Sequence, residues 1–121
     1  METNGRWIDE LFAAIDRKDH QAFAAFLAPG ACFRFGNHPP VRGRAAIAEA
    51  TAQFFAAVRA LNHRIEERWL LPDTAIVTGA VTYTRHDGST LDVPFANVLR
   101  FGENAVDDYR VFVDDSALLS P

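Results

Sequence analysis

A single cysteine, Cys32, leaves the chain without an internal disulfide. No apolar run approaches the roughly 20 residues that a membrane-spanning helix needs. The first ten residues lack the basic and then apolar pattern of a secretory signal, so we expect a cytoplasmic protein. The net charge of -4 disfavours nucleic acid, because phosphates are bound by clustered lysine and arginine. We therefore expect neither nucleic acid nor a membrane as a partner.

The motifs of several catalytic classes are also missing. No pair of histidine, cysteine or acidic residues has the spacing of metal ligands, so we expect no metal. No serine stands in a nucleophile elbow and no glycine-rich phosphate loop is present, so we expect no cofactor. The carboxylate neighbours Asp107 and Asp108, like Asp114 and Asp115, would point to opposite faces of a strand, so neither pair is a natural dyad.

Aromatic residues, in contrast, are plentiful. Ten phenylalanines and two tryptophans occur in 121 residues, of which 49% are hydrophobic. Aromatic side chains bury large areas, so this composition indicates a dense core or a lined cavity. The length fits one domain, residues 1–121, with one core.

Three helices are predicted in the first half of the chain. Their ranges are 6–16, 19–28 and 44–60. In the first, Trp7, Ile8, Leu11, Phe12 and Ile15 form one apolar stripe with helical spacing. Asp19 is the expected N-cap of the second, and Pro29-Gly30 is expected to end it.

The remaining segments have the alternation of strands. The predicted strands cover residues 31–35, a stretch after residue 61, and residues 75–85, 91–101 and 105–113. Residues 36–43 are predicted to be a loop, and Asp87-Gly88 a hairpin turn. Pro94 indicates an edge or a bulge in its strand. Helices segregated from an antiparallel sheet define the α+β class.

Three further stretches are informative together: FGNHPPVRGRAAI at residues 35–47, YTRHDG at 83–88 and YRVFVD at 109–114. In their order and spacing they resemble the SnoaL-like and ketosteroid-isomerase-like families of the nuclear-transport-factor-2-like superfamily. The resemblance implies a cone-shaped, curved antiparallel (mixed) sheet packed against three N-terminal helices, with an apolar pocket at the open end. It also implies a homodimer, commonly through the outer face of the sheet. Val77, Val81 and Tyr83 share one strand face, which is either covered or an exposed patch for that partner.

The catalytic residues of these families are not matched. The isomerase positions hold Leu11, Phe35 and Asn97, and only Asn97 keeps a hydrogen-bond donor. The epoxide-hydrolase positions hold Phe33, Phe35, Ala80, Thr82 and Val111. The acidic residue of the polyketide cyclases falls near Val111, and only a slip in register would bring Asp108 or Asp114 there. Neither ketosteroid isomerisation nor limonene-epoxide hydrolysis is therefore expected, and whether the protein is an enzyme stays open.

The candidate site consists of residues expected around the pocket. The ligand-binding candidates are Phe33, Phe35, His38, Trp69, Phe95, Asn97, Tyr109 and Val111. Of these, His38, Asn97 and Tyr109 are candidates for polar roles in catalysis, although His38 could instead be a solvated loop residue and Asn97 could bond backbone. His63 is interpreted as a partly buried structural histidine. The predicted function is binding of a small apolar or carbonyl-bearing metabolite, with isomerase- or cyclase-type acid–base chemistry; the alternative is a non-catalytic carrier or a dimeric interaction module.

Overall fold

A computed structural model describes residues 4–118, and this part of the chain forms three helices and six strands. The elements are α1 Arg6–Asp16, α2 His20–Ala24, β1 Leu27–Phe35, β2 Val41–Arg42, α3 Arg44–Ala57, β3 Ala60–Leu70, β4 Thr74–Thr84, β5 Thr90–Phe101 and β6 Val106–Val113. The predicted α+β class is therefore confirmed. No helix in this part of the chain is long and apolar enough to cross a membrane.

The strands make one curved sheet in the order β2-β1-β6-β5-β4-β3. Strands β3 to β6 form an antiparallel meander, as the hairpin turns predicted. Strand β1 pairs parallel with β6, which makes the sheet mixed. The inner face of the sheet and the apolar stripe of α1 share one core with residues of α2 and α3. The sheet therefore curves around the three helices.

The chain around α2 differs from the prediction. Asp19 does cap α2, since its Oδ1 accepts the backbone N–H of Ala22 at 3.0 Å, and this bond lowers the pKa of Asp19. However, α2 ends at Ala24 instead of reaching residue 28, because Leu27 already pairs with Val106 of β6. Pro29 and Gly30 therefore lie inside β1, at an irregularity in its pairing with β6, where a missing proline N–H is tolerated.

Two further boundaries were predicted wrongly. The predicted loop at 36–43 contains β2, which pairs with β1 through Phe33 and Val41. Helix α3 ends at Ala57 and not at residue 60, because Val58 is already extended and β3 begins at Ala60.

Pro94 lies in an interior strand, β5, but β6 ends at Val113 opposite Phe95, so Pro94 has a neighbouring strand on one side only.

A bulge in β3 determines which residues of this strand face the core. The pairing with β4 shifts between Ile65 and Glu67, so two residues of β3 oppose one of β4. His63 and Ile65 point inward before the shift, but Trp69 lies on the outer face with 46% of its surface exposed. The prediction that Trp69 lies around the pocket is therefore wrong.

The strand face of Val77, Val81 and Tyr83 is the inner one. All three residues are buried in the core, so they are not an exposed patch for a second subunit. The outer face instead carries the exposed Trp69 and the 55% exposed Phe112. Within β4, periodicity correctly predicted which residues share a face, but it could not assign that face to the inside or the outside.

Candidate functional site

A cavity of about 270 Å³ lies between the inner face of the sheet and the three helices. Helices α1, α2 and α3 contribute Ile15, Phe23 and Thr51 to its wall. Most of the remaining surface is aromatic or aliphatic, including Phe33, Phe35, Phe54, Phe55, Val81 and Phe95. His38 and Pro39 border it from the segment between β1 and β2. Such a cavity has the apolar lining that is typical of small-molecule sites.

Asn97 of β5 and Tyr109 of β6 form a buried polar pair in this wall. The amide Nδ2 of Asn97 donates to the hydroxyl oxygen of Tyr109 at 3.4 Å, and both side chains are almost fully buried. Within residues 4–118, nothing is hydrogen-bonded to the buried Oδ1 of Asn97. A buried acceptor without a partner is costly, so this oxygen is suited to a hydrogen-bond donor inside the cavity.

The Asn97–Tyr109 pair can offer both a donor and an acceptor to a ligand. In the arrangement described, the Tyr109 O–H is free to donate and the Asn97 Oδ1 is free to accept. If the Asn97 amide were flipped, its oxygen and nitrogen would exchange places. The Tyr109 O–H would then donate to Asn97 Oδ1. Asn97 Nδ2 would be free to donate to a ligand, and the phenolic oxygen of Tyr109 would be free to accept. Burial raises the pKa of Tyr109, partly offset by the bond from Asn97, so the hydroxyl stays protonated at neutral pH.

His63 of β3 is held by Asp16, the last residue of α1. The ring Nδ1 of His63 lies 2.6 Å from Asp16 Oδ1, and the backbone N–H of His63 donates to Asp16 Oδ2 at 3.0 Å. The ring packs against both Phe12 and Phe95, at centroid distances of 5.0 and 5.1 Å. Only 11% of the His63 side chain is exposed, and it borders the cavity. The predicted partly buried, hydrogen-bonded histidine is thus found.

His38 makes a second histidine–carboxylate pair at the mouth of the cavity. Its Nε2 lies 2.8 Å from Asp115 Oδ2, and its ring lies 5.9 Å from that of Phe35. The His38 side chain is 61% exposed, so this pair is in contact with solvent. Asp115 thus bonds His38 while its neighbour Asp114 accepts the backbone N–H of Ser116, and the two do not act as one carboxylate dyad.

The structure brings together seven of the eight predicted ligand-binding residues. The cavity is bordered by Phe33, Phe35, His38, Phe95, Asn97, Tyr109 and Val111. Trp69 is the exception, because the β3 bulge places it on the outer face of the sheet. That these seven side chains contact a ligand stays a prediction. Sequence reasoning missed Asp16, because its partner His63 is 47 residues away and no local pattern joins them.

Two of the residues matched to epoxide-hydrolase positions, Ala80 and Thr82 of β4, do not face the cavity. Ala80 and Thr82 lie on the outer face, whereas Val81 and Tyr83 face the cavity. Since neither inner residue is acidic or basic, the family's carboxylate and guanidinium are still missing. Asp108 and Asp114, which a slip in register could have placed at the cyclase position, have other partners. Asp108 pairs with Arg110 at 2.9 Å, and Asp114 accepts the backbone N–H of Ser116. Across residues 4–118, no three histidine, cysteine or acidic side chains are grouped so as to hold a metal ion.

Comparison with known proteins identifies the family to which the sequence is similar. The family model described as a SnoaL-like domain matches residues 8–107. No protein of curated function matches the chain significantly.

Three solved structures illustrate the similarity in fold. A nuclear-transport-factor-2-like protein from Burkholderia pseudomallei is 17% identical, with a TM-score of 0.86 over 98% of this chain and 96% of that one. A putative SnoaL-like polyketide cyclase from Jannaschia is 20% identical, with a TM-score of 0.82 over 97% and 89% of the two chains. An epoxide hydrolase from M. tuberculosis, similar to limonene-epoxide hydrolase, is 12% identical, with a TM-score of 0.79 over 92% and 82%. At these identities the likeness shows the fold.

Proposed function

The chain belongs to the SnoaL-like domain family, and on that premise we propose that its cavity binds a small, mostly apolar molecule bearing a carbonyl or hydroxyl group. The proposed chemistry is proton transfer of the isomerase or cyclase kind. The SnoaL-like cyclase and the epoxide hydrolase that share this fold support a reaction inside the cone. In this superfamily, however, function depends on the site and not on the fold.

The observation that carries this proposal is the buried Asn97 in an apolar wall. Its Oδ1 accepts no hydrogen bond from any of the residues 4–118, although its neighbours on the strand face, Phe95 and Leu99, are buried and apolar. A core position of this kind would normally be hydrophobic, because an unpaired buried polar group costs about 1–3 kcal/mol. A ligand hydroxyl would satisfy Oδ1, and a ligand oxygen would accept from Tyr109.

Asn97→Leu is expected to remove the preference of the cavity for polar ligands. Two probes differ by a single hydroxyl, 2-naphthol and naphthalene, and wild-type protein should bind 2-naphthol about fivefold more tightly, since a buried hydrogen bond contributes about 1 kcal/mol. The variant should bind both equally and should keep or gain thermal stability. Titration calorimetry and melting curves measure the two effects. Asn62→Leu, on the exposed outer side of β3, is the matched control and should behave like wild type.

The proposal has a clear opposite outcome. If Asn97→Leu unfolds readily while its folded fraction still prefers 2-naphthol, the amide has a structural role and the assignment of the polar pair fails. If wild-type protein binds neither probe, the ligand class itself is wrong.

We also propose a homodimer through the outer face of the sheet. An outer apolar patch, formed by Trp69, Ile76, Val98 and Phe112, spans four adjacent strands, β3 to β6. Trp69 and Phe112 are about half exposed, and leaving such surface in water costs about 25 cal/mol per Å². A second copy of the chain would cover it.

Phe112→Glu is expected to dissociate the dimer. A charge within an apolar contact is desolvated without a partner, so dimerisation should weaken by at least about a hundredfold. Sedimentation at micromolar concentration should show twice the 13.4 kDa chain mass for wild type and a single chain for the variant. Ala46→Glu, on the exposed side of α3, should remain dimeric. A monomeric wild type would refute the homodimer.

A further inference from the structure

We infer that His63 is the catalytic base of the cavity and that Asp16 is its positioning residue. The substrate class is an apolar carbonyl compound with a C–H bond adjacent to, or conjugated with, its carbonyl group. This inference rests on the proposed function and assigns the residues that would carry out its chemistry.

The hydrogen bonds of Asp16 determine which nitrogen of His63 is basic. The carboxylate accepts from both the backbone N–H and the ring Nδ1 of His63, at 3.0 and 2.6 Å. A carboxylate can only accept hydrogen bonds, so the proton of the neutral ring is kept on Nδ1. The lone pair is then on Nε2, and no side chain within residues 4–118 is hydrogen-bonded to that atom. Because His63 borders the cavity, this free nitrogen is the group in its wall that could take a proton from a ligand.

Packing holds the ring in one orientation beside the cavity. Phe12 and Phe95 both meet the imidazole edge to face, with interplanar angles of 63° and 82°. Phe95 also lines the cavity and is two residues from Asn97 on the same face of β5. The base and the polar pair therefore belong to one cavity wall, separated by an aromatic ring against which an apolar substrate could lie.

The proposed step is a proton transfer in which atoms and electrons balance. The Nε2 lone pair takes the proton, and the electrons of the C–H bond form a carbon–carbon double bond. The carbonyl π electrons move to oxygen, giving an enolate that accepts a hydrogen bond from the Tyr109 hydroxyl, which itself accepts from Asn97 Nδ2. Asp16 stabilises the imidazolium meanwhile. The imidazolium then returns the proton to carbon, at the same or at a conjugated position, which restores neutral His63.

The other histidine at the cavity has a weaker claim to this role. His38 also pairs with a carboxylate, but the Asp115 bond uses its Nε2, and 61% of its side chain is exposed. A base in contact with bulk water lacks the fixed orientation and low dielectric surroundings that make proton transfer efficient. His63, which is 11% exposed and packs against two phenylalanine rings, has both.

Hydrogen–deuterium exchange of 2-tetralone tests the inference. The acidic C–H bonds next to its carbonyl exchange with D₂O, and proton NMR follows their loss while ligand-observed NMR in the same sample reports binding. Wild-type protein should exceed the buffer rate, and His63→Gln should lose about 10²–10⁴-fold of that rate, the usual contribution of a general base. His86→Gln, an exposed histidine beside a turn, should keep the wild-type rate.

Asp16→Asn tests the positioning role separately. The rate at saturating 2-tetralone should fall at least about tenfold while the half-saturating concentration is unchanged, because the tautomer of His63 is altered and the cavity is not. Asp16→Glu, which keeps the carboxylate, should recover part of the rate. A purely structural carboxylate would instead change both parameters together or only the melting temperature.

The outcomes separate this inference from the proposed function. If 2-tetralone binds wild type, but not the cavity-filling Ala50→Trp, and His63→Gln exchanges it as fast as wild type, His63 is not the base although the binding proposal stands. If 2-tetralone does not bind wild type, the proposed function fails and the inference fails with it.

Should His63→Gln not fold, alkylation of wild-type protein decides the question. The apolar 2-bromo-1-phenylethanone reacts with a free imidazole lone pair, which displaces bromide. Peptide mass spectrometry should find the label on His63, with protection by 2-tetralone, whereas labelling of Cys32 alone would overturn the inference.

Discussion

Gly79→Ala is expected to lower the free energy of unfolding by more than about 3 kcal/mol, because its Cβ has no room. Gly79 of β4 pairs with Ile65 beside the β3 bulge. A Cβ there would overlap the carbonyl oxygen of Arg64 and lie 2.9 Å from its carbonyl carbon and 3.1 Å from the Cα of Ile65. These are backbone atoms, so relief requires the two strands to separate.

Thermal unfolding followed by circular dichroism measures this effect. For a domain of this size, a loss of 3 kcal/mol lowers the melting temperature by at least about 10 °C. Gly30→Ala is the matched control, since a Cβ at Gly30 of β1 meets no atom within 4 Å, and its stability should change by less than about 0.5 kcal/mol. If Gly79→Ala and Gly30→Ala had the same melting temperature, the close approach of β3 to β4 would not restrict the side chain at position 79.

The second large effect is a steep loss of stability above pH 10. Tyr83 and Tyr109 are the two tyrosines of the chain, and burial raises the pKa of each well above the ordinary tyrosine value of about 10. For Tyr83, the negative charge of Asp115 adds to the effect of burial. Both hydroxyls should therefore stay protonated in the folded protein at a pH where free tyrosine ionises.

The sign of this pH dependence follows from proton binding in the two states. Above pH 10 the unfolded chain has released the two protons and the folded chain has not, so raising the pH favours unfolding. The stabilising contribution is complete below pH 10 and is lost at about 1.4 kcal/mol per pH unit for each tyrosine. Denaturant melts at increasing pH should show roughly twice this slope in wild type.

Ultraviolet difference spectra of tyrosinate supply the direct readout. Absorbance should rise together with unfolding and not before it, and Tyr109→Phe should halve the slope of stability against pH. Tyrosinate forming in the folded protein near pH 10 would contradict the burial of these hydroxyls in the core.

Local patterns in the sequence were sufficient for much of the fold. The helical stripe predicted α1 with its observed bounds, because hydrophobic periodicity is a local property of an amphipathic helix. Phe95 and Asn97, two residues apart on one strand and both predicted to lie around the pocket, do border the cavity. The Asp87-Gly88 turn and its flanking alternation identified the hairpin between β4 and β5, since turn chemistry is also local.

Tertiary structure decided what depends on contacts between distant segments. Pro29-Gly30 has the pattern of a helix end, yet pairing with β6 draws these residues into β1. The β3 bulge places Trp69 on the outer face of the sheet, and the hydrophobic periodicity of the sequence does not predict this bulge. Only the packing of the helices shows which face of β4 is inside, because alternation by itself has no inside or outside.

The candidate site divides in the same way. The sequence by itself determined an aromatic wall with Asn97 and Tyr109 among apolar neighbours, because each of these residues is placed by the alternation of its own strand. Only the fold joined Asp16 at the end of α1 to His63 on β3, and only the fold left Asn97 Oδ1 without a partner among residues 4–118. Hydrogen bonds between residues far apart in the chain depend on the three-dimensional arrangement, and neither composition nor spacing encodes them locally.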